Sequence, residues 1–174
     1  MERIDDPFGR IGVGPGMSVA FRRESDEEHL EPRPELPVPP GPNLVTLRGM
    51  AQIEGRVAEL EQAVAAGGEE AAVTALKRDL RYWHVRRATA QLASRAAEGE
   101  AGFGSRVGYR LNNGPLQHAE IVGADEAEPA AGRIAFTAPL ARALIGGTEG
   151  ERIDFGGKPG ALEIVSIDPI ADVT

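Results

Sequence analysis

The run AVAAGGEEAAV at residues 63–73 sets two adjacent glycines and two glutamates inside a long stretch of helix-forming residues. That interruption constrains the fold more than any other feature of the chain. Upstream of it, Met50, Ile53, Val57, Leu60 and Val64 recur at alternating steps of three and four, the seam of one helix face. Thr46 stands ahead of the seam as an N-cap. Downstream, Val73, Leu76, Leu80 and Trp83 repeat the pattern, with Ala90 further along in register. Paired glycines favour a left-handed helix exit, and two helices separated by so short a break must lie antiparallel. The spacing therefore predicts a helical hairpin (a coiled coil) over residues 44–95, with Gly67, Gly68, Glu69 and Glu70 at its tip. Both glutamates are expected in the first turn of the second helix, where negative charge suits the helix dipole. Arms of about 20 residues would project about 30 Å.

The two arms differ in charge. Glu54, Glu59 and Glu61 lie on the first, and Lys77, Arg78, Arg81, Arg86 and Arg87 on the second. These groups are expected to pair across the hairpin and solvate it. The alternative is a basic stripe facing an acidic partner or nucleic acid.

From Gly104 the pattern changes from helical to alternating. SRVGYRL, QHAEIVG, GRIAF, ERIDF and ALEIVSI each read as a short strand, with Asn112-Asn113-Gly114 and Gly156-Gly157 as turns. APLARALIGG between the third and fourth reads as a short helix, with Pro139 in its first turn and Gly146-Gly147 at its end. The expected fold class is α+β: the hairpin, a linker at 96–103, then an antiparallel sheet with one helix over 104–168. A C-terminal tail would occupy 169–174. Residues 1–43 mix glycines, charges and prolines and read as an extended acidic tail, with Leu36 and Val38 able to dock on a neighbouring surface.

Composition narrows the function. The chain of 174 residues has no cysteine, which removes disulfides, thiolate metal sites and cysteine catalysis. Its three histidines lack metal-ligand spacing, so no metal site is expected. A net charge of −8 repels phosphates and argues against stand-alone nucleic-acid binding. No apolar stretch reaches the roughly 18–20 residues of a membrane span, and MERIDDPFGR carries acids where a signal peptide needs a basic start. A cytoplasmic location is expected. No nucleophile arrangement is recognisable, and Asp125-Glu126-Ala127-Glu128, close to Pro129 and Gly132, reads as a solvated turn. On its residues alone the chain reads as a binding protein with a projecting hairpin: not an enzyme, without catalytic residues and without a cofactor.

One combination is more specific. A helical hairpin followed by FGSRVGYRL, AEIVGADEAEP, GRIAFTAPLARALIGGTEGERIDFGG and LEIVSI resembles the bacterial transcript-cleavage and elongation factors of the GreA/GreB family. The resemblance is strong over about residues 103–168. It extends to LVTLRGMAQIEGRVAELE and ATAQL in the hairpin and leaves out the tail. It implies an FKBP-like α+β domain that docks on the rim of the RNA polymerase secondary channel, with the hairpin reaching towards the catalytic magnesium. In that family, two acids in a motif resembling GDxxEN help hold a second metal, which activates water for cleavage of backtracked RNA.

This sequence departs from the pattern in two places. No GDxxEN occurs, and with the helix ends matched the hairpin is several residues shorter in each arm, about 10–15 Å less reach. The family's Asp-Ser-Pro before the ARAL helix is here Thr137-Ala138-Pro139. Losing that aspartate would cost about 1–3 kcal/mol if it made a charge-assisted hydrogen bond. The resemblance thus implies a monomeric regulator of transcription elongation that binds RNA polymerase through Thr137, Pro139, Arg142, Leu144 and Ile145. Nucleic acid would be met only indirectly, within the transcription complex, and cleavage stimulation would be weak or absent. The alternatives are an active cleavage factor that uses Glu69 and Glu70, and, in another class, an FKBP-like prolyl isomerase, chaperone or other protein-binding module.

Overall fold

The structure is a computed structural model that describes residues 35–94 and 96–171. The tail expected at 1–43 lies mostly outside the described residues. Its end is included: residues 35–40 have no regular secondary structure, and strand β1 (Asn43–Val45) follows.

Helix α1 (Leu47–Ala66) begins as its sequence requires. Thr46 has extended backbone, and its hydroxyl accepts from the Gly49 N–H at 3.0 Å. On the seam, Ile53, Val57 and Leu60 are buried, while Met50 and Val64 are half-buried. The helix stops at Gly67, whose φ of 74° no β-carbon opposes and whose N–H returns to the Val64 carbonyl. Gly68, at φ 141°, completes the reversal. Helix α2 (Glu70–Thr89) then returns with Val73, Leu76, Leu80 and Trp83 half-buried. Both the start of α1 and the end of α2 bond to Asp125-Glu126, so the arms run antiparallel from a common base.

Several expectations at this base need correction. Ala90 does not continue α2: it opens strand β2 (Ala90–Leu92), which pairs in parallel with β1. The charges do not pair across the hairpin as a set. His84–Glu61 links the arms, but Arg56–Glu59 and Arg78–Asp79 lie within one helix, Arg81 pairs with Glu35, and Arg86 pairs with Asp125.

The second part is a five-stranded sheet of β3 (Ser105–Leu111), β4 (Leu116–Val122), β5 (Arg133–Ala135), β6 (Arg152–Phe155) and β7 (Lys158–Pro169), in the order β5-β4-β3-β7-β6. It is mixed, not wholly antiparallel as expected, because β5 runs parallel to β4. Two short 3-10 helices, Ala124–Glu126 and Pro129–Ala131, occupy the connection between those two strands. Asn112 and Asn113 have φ of 52° and 56° and form the tight β3–β4 turn.

Alternation along the strands puts Val107, Tyr109, Ala119, Ile121, Leu162 and Ile164 on one face. Helix α3 (Pro139–Leu144) covers them with Ala141 and Leu144. The linker is not separate from this core: Ala101 is buried in it, and Phe103 meets Phe136 edge to face at 5.8 Å. The domain also runs past residue 168, since β7 ends at Pro169 and Ile170 packs with Val122.

Candidate functional site

Three places matter: the hairpin tip, the α3 surface, and the junction that fixes one relative to the other. At the tip, Gly67, Gly68, Glu69 and Glu70 are all exposed. Glu69 is the N-cap of α2, with extended backbone and no side-chain capping bond, and Glu70 is the first helical residue. The expectation that both lie within the first turn therefore holds for Glu70 alone. Among the described residues, no group of three or more histidines, aspartates or glutamates could hold a metal ion.

On α3, Pro139 starts the helix, and its neighbour Thr137 is exposed, as are Pro139 itself and Arg142. Ile145 just beyond the helix is 42% exposed. Leu144 is fully buried under the sheet, so its side chain belongs to the core and cannot serve as a surface contact. The turn-facing side of α3 thus brings four of the five expected residues to solvent.

The junction is the feature that sequence reasoning missed. Asp125 and Glu126 are not in a solvated turn. The Glu126 carboxylate is buried and accepts from the Thr46 hydroxyl at 2.5 Å, the Thr46 N–H at 3.2 Å and the Gly123 N–H at 3.3 Å. Arg48 approaches the same carboxylate at 3.4 Å and bridges to Glu120. Asp125 turns to the other helix. It accepts from Arg86 Nε at 2.6 Å and from the Tyr82 hydroxyl at 2.7 Å. Burial, with the bond to Asp125 second, pushes the Tyr82 hydroxyl up to about 12.

Adjacent carboxylates thus hold adjacent helices, one each. A buried charge survives only with such partners, and these lie about 40 to 80 positions away in the chain. Two glycines allow the close seating. A β-carbon at Gly49 would fall 2.4 Å from Glu126 Oε2, and one at Gly123 would fall 2.6 Å from the Leu44 carbonyl oxygen. The legible signal was a glycine inside α1 with no turn to explain it.

A helical hairpin clamped at its base to a small mixed-sheet domain, with no metal-binding group at its tip among the described residues, defines an α+β protein of two joined parts. Residues 96–169 match the family described as "Transcription elongation factor, GreA/GreB, C-term". The GreB transcription elongation factors of Neisseria meningitidis serogroup B and serogroup A are each 36% identical over 78 residues, which is 44% of this chain and 48% of theirs. Over residues 96–169 the chain is similar to the C-terminal domain of the GreA/GreB family. It spans about half the length of the curated relatives it matches.

Among solved structures, GreA factor homolog 1 (Gfh1) of Thermus thermophilus is 14% identical, covering 74% of this chain and 99% of its own, with a TM-score of 0.34. The GreA/GreB factor of Nitrosomonas europaea is 17% identical, covering 74% and 98%, with a TM-score of 0.35. No helix among the described residues is long and apolar enough to cross a membrane.

Proposed function

We propose that this protein binds RNA polymerase at the rim of the secondary channel and regulates elongation without efficient stimulation of transcript cleavage. In this reading the FKBP-like domain docks through Thr137, Pro139, Arg142 and Ile145, and the hairpin enters the channel. The carrying observation is the tip. Its two acids sit on a cap and a first helical residue, without a third ligand nearby among the described residues. A divalent ion held for hydrolysis needs converging oxygens near 2.0–2.1 Å. Arms of 20 residues reach about 30 Å, several residues per arm less than the resemblance implies for a hairpin that delivers a metal.

The test is competition. The purified protein should bind core polymerase, leave backtracked RNA uncleaved, and inhibit an active Gre factor as its concentration rises. Arg142→Glu should weaken binding with the fold intact by circular dichroism. Robust cleavage, abolished by Glu69→Ala with Glu70→Ala, would overturn the reading in favour of an active factor.

A further inference from the structure

Helix α3 covers one face of the five-stranded sheet, and the opposite face carries a different set of side chains. On β3, Arg106, Gly108 and Arg110 alternate with the core residues Val107 and Tyr109 and so share that opposite face. Gly108 pairs with His118 on β4 and with Ser166 on β7, so these two flank it across the sheet. The two arginines flank it along the strand, their α-carbons about 13–14 Å apart. The register shift beside Gly108 brings both Ser166 and Glu163 to this face.

A glycine inside a strand weakens it and marks a place of close approach. A β-carbon at Gly108 would fall 2.5 Å from Ser166 Oγ and 3.5 Å from His118 Nε2. The hydroxyl and the imidazole therefore lean over the same spot. Among the described residues, Arg106, Arg110, His118 and Ser166 make no side-chain hydrogen bond or ion pair. The neighbouring carboxylates are engaged elsewhere: Glu120, opposite Arg106, bridges to Arg48 at 3.4 Å, and Glu163, opposite Arg110, to Arg152 at 3.6 Å. Asp168, also opposite Arg106, forms no ion pair with it.

We propose that Arg106, Arg110, His118 and Ser166 form a binding site for the phosphate group of a small molecule, on the sheet face opposite α3. All four side chains can donate, and two carry fixed positive charge in a fork that matches phosphate oxygens. A phosphate group answers them as a ligand that only accepts. The nucleic-acid backbone is the poorer source of that group. Tyr109, the one aromatic of β3 and β4, lies in the core and leaves no ring on this face for a base to stack on, and the chain carries a net charge of −8. The site is independent of polymerase binding.

The experiment follows the His118 ring by proton NMR in the full chain, its signal assigned by its loss in His118→Gln. Inorganic phosphate and pyrophosphate are titrated at constant pH, with sodium chloride at matched ionic strength as the control. The expected result is a saturable shift with either phosphate and none with chloride. Arg106→Gln combined with Arg110→Gln should weaken binding at least about tenfold with the circular dichroism spectrum unchanged, while Arg87→Gln on α2 should leave it as it was. Equal shifts in chloride, no shift, or equal weakening by Arg87→Gln would overturn the site. A short single-stranded RNA that binds more tightly than pyrophosphate, and loses that affinity in the double variant, would overturn the small-molecule assignment.

Discussion

Replacing Asp125 by alanine tests the junction most directly. The Arg86 and Asp125 side chains are only 3% and 9% exposed and meet at 2.6 Å. Alanine leaves the guanidinium buried without its counter-charge and strands the Tyr82 hydroxyl. Breaking a buried pair from one side costs about 3–5 kcal/mol. With a urea dependence near 2 kcal/mol per molar, the midpoint should fall by about 1.5–2.5 M. The reporter is built in. Trp83, the single tryptophan, lies edge to face with Tyr82 at 5.3 Å, so its fluorescence follows the base of the hairpin.

The Trp83 transition in the variant should therefore move to lower urea than in the wild type. Arg86→Met combined with Asp125→Leu should recover much of the loss, because an apolar pair of similar volume leaves no charge stranded. A cost below about 1 kcal/mol for Asp125→Ala, the range of an exposed pair, would refute the argument that this contact holds the hairpin in place.

Two further outcomes follow from the same contacts. Gly49→Ala should destabilise by about 1–3 kcal/mol, against the usual gain in a helix, whereas Gly55→Ala, with nothing within 4 Å, should stabilise by about 0.5–1 kcal/mol; thermal melts of the two variants decide it. Tyr82 has a hydroxyl pKa raised to about 12, so its protonated form contributes stability that is fully present below pH 10, the unfolded value, and is lost as pH rises towards 12. Denaturation midpoints between pH 9 and 12 should fall less steeply in Tyr82→Phe than in the wild type.

The parts of the fold that were legible are those whose cause is local. The seam from Met50 to Val64, the Thr46 cap, the glycine stop and the strand alternation each depend on residues within a few positions of one another. What escaped depends on distant pairing. β1 and β2 have three residues each and acquire meaning only by meeting across the hairpin. Nothing in the period of GRIAF tells whether it runs parallel or antiparallel to its neighbour. Asp125 and Glu126 looked solvated because acids beside proline and glycine usually are, and their partners come from the two helices. Leu144 reads as a surface residue in the sequence because a six-residue helix gives too few turns to tell its inner face from its outer one.

The glycine reversal at the tip also separates two properties that a rigid probe would otherwise tie together. A β-carbon at Gly67 or Gly68 would meet nothing within 4 Å among the described residues. The bonds to Asp125 and Glu126 that aim the hairpin are at the opposite end. Inserting seven residues into each arm just before and after the turn would keep both seams in phase and lengthen the projection by about 10 Å, without touching Asp125, Glu126 or their partners. Length is therefore a dial that evolution or an engineer can turn while the aim stays fixed. Grafting longer tips onto this base would yield a calibrated set of molecular rulers sharing one handle.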